Sequence, residues 1–427
     1  MHIYFSGIGG VGLGPLAELA RDAGYEVSGS DTSASLMTDQ LQASGVTISF
    51  EQSTEAITRL HQSAPIDWLV HTAAIDEHHP EIVFAKKHAI KVSKRDELLA
   101  HIITEKKLSL IAVSGTHGKT TTSGMMVWAL QQAKIPVSYS IGSQISFGPS
   151  GAYDPASQYF VYECDEFDRN FLYFSPTYSL ITSYDYDHPD TYPTPQLYQE
   201  AFQQFINQSE STIAHEDDVS TMYGSTDPPP HIKPIRESEE FMSQCTLAGH
   251  HNRRNAQLVY ILMKKIAPEL SDEHIIDIVN KFPGTKRRFE KLADNIYSDY
   301  AHHPVEIEAT IQLAREINPR VAVVYQPHQN IRQQHLKDQY QTCFKDASQV
   351  YWLPTYLSRE SADETHILSP RDLTAFITHP LVILSELDEK LFDAIESLRA
   401  QNILVICMGA GSIDEWVRQR FTSSSNS

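Results

Sequence analysis

The chain has 427 residues, 41% of them hydrophobic and 21% charged, which suits about three soluble globular domains, each with its own core. Its formal net charge of −20 repels polyphosphate backbones and argues against nucleic acid as a partner, while a local cradle of backbone N–H groups still admits a small anionic ligand. Cys164, Cys245, Cys343 and Cys407 form no CxxC pair and read as reduced thiols of a cytoplasmic protein; the N-terminus has no signal-peptide pattern, and no apolar run approaches the ~18 residues of a membrane span.

In chain order, Ile3–Ser6 reads as a strand, followed by a glycine turn and a helix from about Val11 to Ala23. Glu26–Ser30 and Trp68–His71 are further strands, so the first unit, residues 1–105, has the β-α-β rhythm of a parallel, doubly wound sheet. The apolar run Leu108–Val113 is a buried strand that opens a second unit, residues 106–283. A helix over Thr121–Gln132 and strands at Phe160–Tyr162 and Tyr178–Thr182 follow it. The prolines in Gly224–Pro230 make that stretch a loop, and Asn252–Lys265 resumes a helix. The third unit, residues 284–427, holds strands at Arg320–Tyr325 and Asn402–Met408 and a frayed tail at Ser423–Ser427. The expected fold is therefore α/β with three domains in series: Rossmann-like, a central P-loop ATPase domain on a parallel sheet, and a second Rossmann-like domain.

The central glycine turn, Gly115-Thr116-His117-Gly118-Lys119-Thr120-Thr121, lies between a buried strand and a helix. Free N–H groups at a helix N-terminus bind phosphate; Lys119 can reach the β- and γ-phosphates, and the Thr120 hydroxyl suits Mg²⁺. The loop is shorter than GxxxxGK[ST], with Val113 where the longer motif needs glycine, which disfavours an ordinary GTPase or ATPase. Gly7-Ile8-Gly9-Gly10-Val11-Gly12 matches GxGxxG, and Asp31 follows at the next strand end, where a ribose-binding acid belongs. That pattern fits NAD and equally another nucleotide diphosphate, so an NAD-dependent oxidoreductase stays open here. Glu163-Cys164-Asp165-Glu166-Phe167-Asp168 sets four acids after a strand, where α/β sheets bind ligands and oxygen ligands hold Mg²⁺. Asp185-Tyr186-Asp187-His188 follows another strand and offers a second metal site.

Three later segments complete a pattern: His250-His251-Asn252-Arg253-Arg254-Asn255, Lys286-Arg287-Arg288-Phe289-Glu290, and Ser298-Asp299-Tyr300-Ala301-His302-His303-Pro304. Taken in order with the loop, the acidic strand end and Asp187-His188, they resemble the motifs of the Mur ligase family of peptidoglycan synthesis over nearly the whole chain. The resemblance implies ATP and Mg²⁺ as cofactors and an acyl phosphate as intermediate. It implies UDP-N-acetylmuramate as the acid and an amino acid, L-alanine, as the amine, with a tripeptide as the alternative amine. By that resemblance Gly9, Gly10, Val11, Gly12 and Asp31 bind the nucleotide-sugar in residues 1–105. Gly115, Thr116, Gly118, Lys119, Thr120 and Thr121 cradle ATP, and Thr120, Glu163 and His188 ligate metal. Asn252, Asn255, Arg288 and Asp299 reach ATP, Lys119, Glu163, His188 and Arg288 are catalytic, and His302 and His303 lie near the amino acid. The expected molecule is a cytoplasmic monomer or weak dimer with no nucleic-acid or membrane partner.

Overall fold

Short β-branched and aromatic runs, each bounded by glycine, proline or a helix cap, build three parallel-rich sheets (a computed structural model describes residues 1–421 except 11, 73, 190, 359, 361–366, 376, 378 and 380). Val11, Asp190 and the 423–427 tail lie outside the described residues. The chain divides into two compact units, Met1–Glu237 with Leu258–Val279, and Ser238–Gln257 with Asn280–Ser427.

The first unit carries two sheets. One contains β1 (His2–Ser6), β2 (Glu26–Ser30), β3 (Thr47–Ser49), β4 (Trp68–His71) and β5 (Lys91–Ser93) in the order β3-β2-β1-β4-β5, all parallel. The order reverses between β1 and β4, and the carboxyl ends of strands at such a reversal are where open α/β sheets bind ligands. The helix after the first glycine turn is Gly14–Asp22, not one that begins at Val11. Gly7–Gly10 and Gly12–Leu13 turn before the helix begins, and Pro15, whose missing N–H costs nothing at a helix start, sets the first helical turn.

The other sheet contains β6 (Ser109–Ser114), β7 (Val137–Ser140), β8 (Gly151–Ala152), β9 (Tyr159–Glu163), β10 (Tyr178–Ile181), β11 (Thr212–His215) and β12 (Ile232–Ile235). Its order is β12-β11-β10-β6-β9-β7-β8, parallel except for β8 against β7. Strand β6 sits between β10 and β9, so segments far apart in sequence leave the sheet side by side. One hydrophobic core runs from the first sheet into the second, through Phe5, Val70, Leu98, Phe160, Phe171, Phe202 and Phe205. Fully burying an aromatic ring contributes on the order of 2–3 kcal/mol. Phe171 stacks on Phe205 at 4.8 Å, anchoring the helix Pro195–Asn207 whose Tyr198 hydroxyl reaches the Thr116 hydroxyl at 2.8 Å. Core packing thus holds the Gly115–Thr121 loop from behind.

In the second unit, β13 (Glu290–Ala293), β14 (Ile296–Asp299), β15 (Val321–Tyr325), β16 (Gln349–Trp352), β17 (Val382–Leu384) and β18 (Leu404–Met408) form a sheet in the order β13-β14-β18-β15-β16-β17. It is parallel except for β13, an antiparallel edge strand on β14. Its two faces are covered by separate apolar clusters, one around Tyr325, Tyr340 and Trp352, the other around Val324, Ile395 and Val417. Among the described residues, no helix is long and apolar enough to cross a membrane.

Candidate active site

Strands β10, β6 and β9 end in a row, and the three motifs singled out in the middle of the chain leave from those ends. After β6 the chain turns at Gly115, whose φ of +131° and tight surroundings admit only glycine. A Cβ there would lie 2.4 Å from Thr182 Oγ1 and 2.8 Å from the Ser183 carbonyl. Thr116 N–H and His117 N–H donate to Ser183 O and Oγ at 3.1 and 2.8 Å, and the Thr116 hydroxyl donates to Asp185 O at 2.7 Å. Gly118, at φ +84°, is the N-cap of the helix Lys119–Gln132, which places Thr120 and Thr121 in its first turn. The helix start has no side-chain cap, and the dipole at a helix N-terminus favours an anion.

Lys119 is folded inward. Its ammonium donates to both oxygens of Glu166, at 3.0 and 2.8 Å, and to the carbonyls of Gly115 and Thr116, at 2.7 and 3.3 Å. Burial alone would lower the Lys119 pKa; Glu166, Asp165 and Glu163 overcome it and hold the ammonium firmly charged. Thr120 Oγ1 donates to Glu163 Oε1 at 2.7 Å, and Gly142 N–H donates to Glu163 Oε2 at 2.7 Å. A Cβ on Gly142 would sit 2.9 Å from that carboxylate, so the close approach depends on glycine.

His188 arrives from beyond β10 with a left-handed φ of +58°, its backbone N–H bound to Asp187 Oδ1 at 2.7 Å. Its Nε2 lies 3.4 Å from Glu166 Oε1 and 3.7 Å from Asp187 Oδ2. Burial pushes the imidazole pKa down, but the bond to Glu166 and the Asp187 charge outweigh it, so His188 takes up a proton more readily than an ordinary histidine. Asp165 is held below the usual carboxylate range because Lys119 and His188 more than offset its burial. One donor atom each from Asp165, Glu166 and His188 falls within 4.8 Å of the others, two oxygens and an imidazole nitrogen of the kind a hard divalent cation accepts. Thr120 and Glu163 thus meet directly, whereas His188 meets Asp165 and Glu166. Glu166, fully buried at the centre, was visible only as one acid in a run of four; nothing in the sequence marks it as the shared partner of Lys119 and His188.

In the first sheet, the N–H groups of Gly7 and Ile8 both donate to Ser30 O, at 2.8 and 2.9 Å. Gly9 N–H donates to Asp31 Oδ2 at 2.8 Å, so the glycine loop and the acid at the next strand end meet directly. Gly10 closes a tight turn onto Gly7 O at 3.1 Å, and Gly12 faces the Arg95 side chain. Behind the loop, fully buried Glu81 accepts from Ser6, Ser30 and Tyr4 hydroxyls at 2.5, 2.8 and 2.6 Å.

Within the second unit, Asp299 ends β14 and is almost fully buried. It accepts from Phe289 N–H at 2.6 Å and Ala301 N–H at 2.7 Å. Those bonds pin a turn in which Arg287 and Phe289 hold left-handed φ angles of +59° and +49°. The Arg287 and Arg288 guanidiniums lie 4.7 and 5.1 Å from the centre of the Tyr300 ring. His303 caps the helix Pro304–Ile317, its ring accepting from Val305 N–H at 3.4 Å, and Glu306 completes a capping box. His302 lies 3.4 Å from Glu306 and 6.1 Å, ring to ring, from His328, which stacks on Tyr356 at 5.9 Å. Asn252 donates to Ala248 O at 2.9 Å, and Asn255 is buried one turn further along.

Burial sets up opposing pH responses in this unit. Desolvation, reinforced by His250 and Arg253 against Glu316 and Glu306, pushes His251 down to about 4. A histidine whose folded pKa is depressed loses its stabilising contribution as pH falls from ~6.5 to ~4, here on the order of 3 kcal/mol. Replacing His251 with leucine is therefore expected to raise the melting temperature relative to the unsubstituted chain by an amount that grows as pH drops through that window. A difference that stays constant from pH 7 to 4.5 in calorimetry would refute the assignment.

Models of three domain families match this chain in series. They are the Mur ligase family catalytic domain over residues 2–107, the Mur ligase middle domain over 113–229 and the Mur ligase glutamate ligase domain over 287–411. The Gly115–Thr121 loop, the acidic strand end and His188, on three adjacent strand ends, thus sit in a ligase scaffold, and the chain belongs to the Mur ligase family. Among its relatives are proteins named UDP-N-acetylmuramate–L-alanine ligase. That from Fusobacterium nucleatum is 31% identical, spanning 96% of this chain and 94% of its own; that from Gloeobacter violaceus is 30% identical, spanning 96% and 93%. The crystal structure of UDP-N-acetylmuramate–alanine ligase from Thermotoga maritima shares the fold with a TM-score of 0.74 at 24% identity, covering 100% of both chains. The murein peptide ligase of Psychrobacter arcticus shares it at 0.64 and 22% identity, over 99% and 98%.

Proposed function

We propose that this chain is the cytoplasmic, ATP- and Mg²⁺-dependent ligase that joins L-alanine to the carboxylate of UDP-N-acetylmuramate in peptidoglycan precursor synthesis. The observation that carries the reading is the meeting of Lys119, Thr120–Glu163 and Glu166–His188 at three neighbouring strand ends. The substrates follow from the near-full-length relatives named for that reaction.

A carboxylate is a poor electrophile and its oxygen a poor leaving group, so direct attack by an amine fails. Transfer of the γ-phosphoryl group of ATP to a substrate carboxylate oxygen breaks the bond to ADP and yields an acyl phosphate. The amine of alanine then attacks the acyl carbon, phosphate leaves with the C–O bond electrons, and the nitrogen loses a proton. Positioning and charge neutralisation carry such a transfer. The Gly115–Thr121 loop would cradle the phosphates, with Lys119 turning from Glu166 and the loop carbonyls toward them. Thr120 with Glu163, and His188 with Asp165 and Glu166, would hold Mg²⁺, which neutralises phosphate charge when bound. Gly9, Gly10, Val11, Gly12 and Asp31 would take the nucleotide-sugar; Asn252, Asn255, Arg288 and Asp299 the nucleotide side of ATP; His302 and His303 the amino acid.

Purified protein given UDP-N-acetylmuramate, ATP and Mg²⁺ should release ADP when L-alanine is added. ADP release with the tripeptide and none with L-alanine would overturn the assignment of the amine. NAD-dependent absorbance change without any need for ATP would overturn the reaction class.

A further inference from the structure

Lys94 and Arg95 follow β5 directly, at the carboxyl edge of the first sheet and on the crevice side that the glycine turn after β1 also faces. The two cations have different occupations. Lys94 donates to Asp168 at 2.7 Å. Arg95 lies over the glycine loop: a Cβ on Gly12 would sit 3.2 Å from its Nη1 and 3.8 Å from its Cδ. The inner edge of the guanidinium is held, with Nε 3.3 Å from Asp96 Oδ2. Asp96 is itself buried and fixed by the Tyr162 hydroxyl at 2.6 Å. The outer edge is free: among the described residues, no group accepts a hydrogen bond from Nη1 or Nη2, and 42% of the side chain is exposed.

A guanidinium presents its N–H groups as a planar fork that matches a phosphate, and a fork pre-set by a buried carboxylate loses little freedom on binding. In a chain with net charge −20, a cation so placed also supplies the local attraction an anionic ligand needs. We propose that Arg95 binds the diphosphate of the nucleotide-sugar seated on the Gly7–Gly12 loop, an assignment that rests on the ligase reading above. Glycine at position 12 then has a second use, because any side chain there would displace the fork.

Calorimetric titration of the full-length protein with UDP, UDP-N-acetylmuramate and MgATP tests this. Arg95→Ala should weaken UDP and UDP-N-acetylmuramate alike by about tenfold or more and leave MgATP within about twofold. Arg95→Lys, which keeps the charge and loses the fork, should recover part of that loss and serves if the alanine variant is poorly folded. In turnover, KM for the nucleotide-sugar should rise while kcat at saturation stays within about threefold. Unchanged UDP affinity in Arg95→Ala overturns the proposal, including the case where only UDP-N-acetylmuramate weakens, because the fork would then hold the sugar's carboxylate. An unsubstituted protein that binds neither uridine ligand would instead overturn the ligase reading itself.

Discussion

Lys119→Met is expected to lower ATP-dependent ligation by about 10³-fold, the usual scale for removing a preorganised charge from a phosphoryl-transfer site. The same substitution should destabilise the fold, because fully buried Glu166 loses the ammonium that donates to both its oxygens. Breaking a buried pair from one side costs about 3–5 kcal/mol. The two effects separate in Lys119→Met/Glu166→Gln, where the unpaired carboxylate is gone. That double variant should regain most of the lost melting temperature and none of the ligation. ADP release at near-parental rates in the folded single variant would remove Lys119 from the proposed chemistry.

Asp299→Ala is expected to reduce kcat/KM by about 10²-fold, because it removes a group assigned to ATP and also loosens the turn beside it, and positioning errors of this kind are costly. Its carboxylate pins the turn that carries Arg287 and Arg288 through Phe289 N–H and Ala301 N–H, and that turn contains two residues at left-handed angles, a costly conformation that depends on its surroundings. The pH dependence of stability gives an independent check. Burial raises the Asp299 pKa to about 6, against the pull of Arg288 and its two backbone donors. An acid with a raised folded pKa favours the fold when protonated. Its contribution is present below its ordinary value near 4 and falls as pH rises to about 6, by roughly 3 kcal/mol in all. Relative to the unsubstituted chain, the alanine variant should therefore gain stability as pH rises from about 4 to 6 and show no further trend above it. A stability difference independent of pH would mean that Asp299 ionises like an exposed carboxylate.

Much of the fold was legible because parallel strands buried on both faces must be apolar along their whole length. Trp68–His71 emerges with the predicted boundaries, and the strand before Gly115 differs only by one residue at each end; Glu26–Ser30 also emerges as predicted, though the β-α-β rhythm rather than an apolar run marks it. Short edge strands such as β3, β5 and β17 were not legible; at three residues each, half exposed, they carry no periodic signal. The antiparallel edge strand β13 was missed for a related reason: Glu290–Ala293 is neither apolar nor alternating. The helix after the first glycine turn was placed too early, because apolar spacing does not reveal how many residues a turn consumes.

The amino-acid sequence by itself determined which chemical groups this protein brings to bear. The spacing of Gly115, Gly118 and Lys119, the acids from Glu163 to Asp168 and the single His188 are local patterns, each set by what one turn or one strand end can hold. Only the tertiary structure decided which of them meet. Strand order places β6 between β10 and β9, so Lys119 reaches Glu166 across 47 residues and His188 reaches the same carboxylate from the other side. Fully buried Glu166 is the acid of its run that makes the shortest contacts to both, with Asp165 beside it. Arg95 was unmarked in sequence because a lone basic residue at a helix start usually faces solvent; its meaning comes from Gly12, which β1 and β5, separated in the sheet by β4 alone, bring beneath it. Pattern in the chain selects the chemistry, while the order of strands, which no local spacing encodes, selects the neighbours.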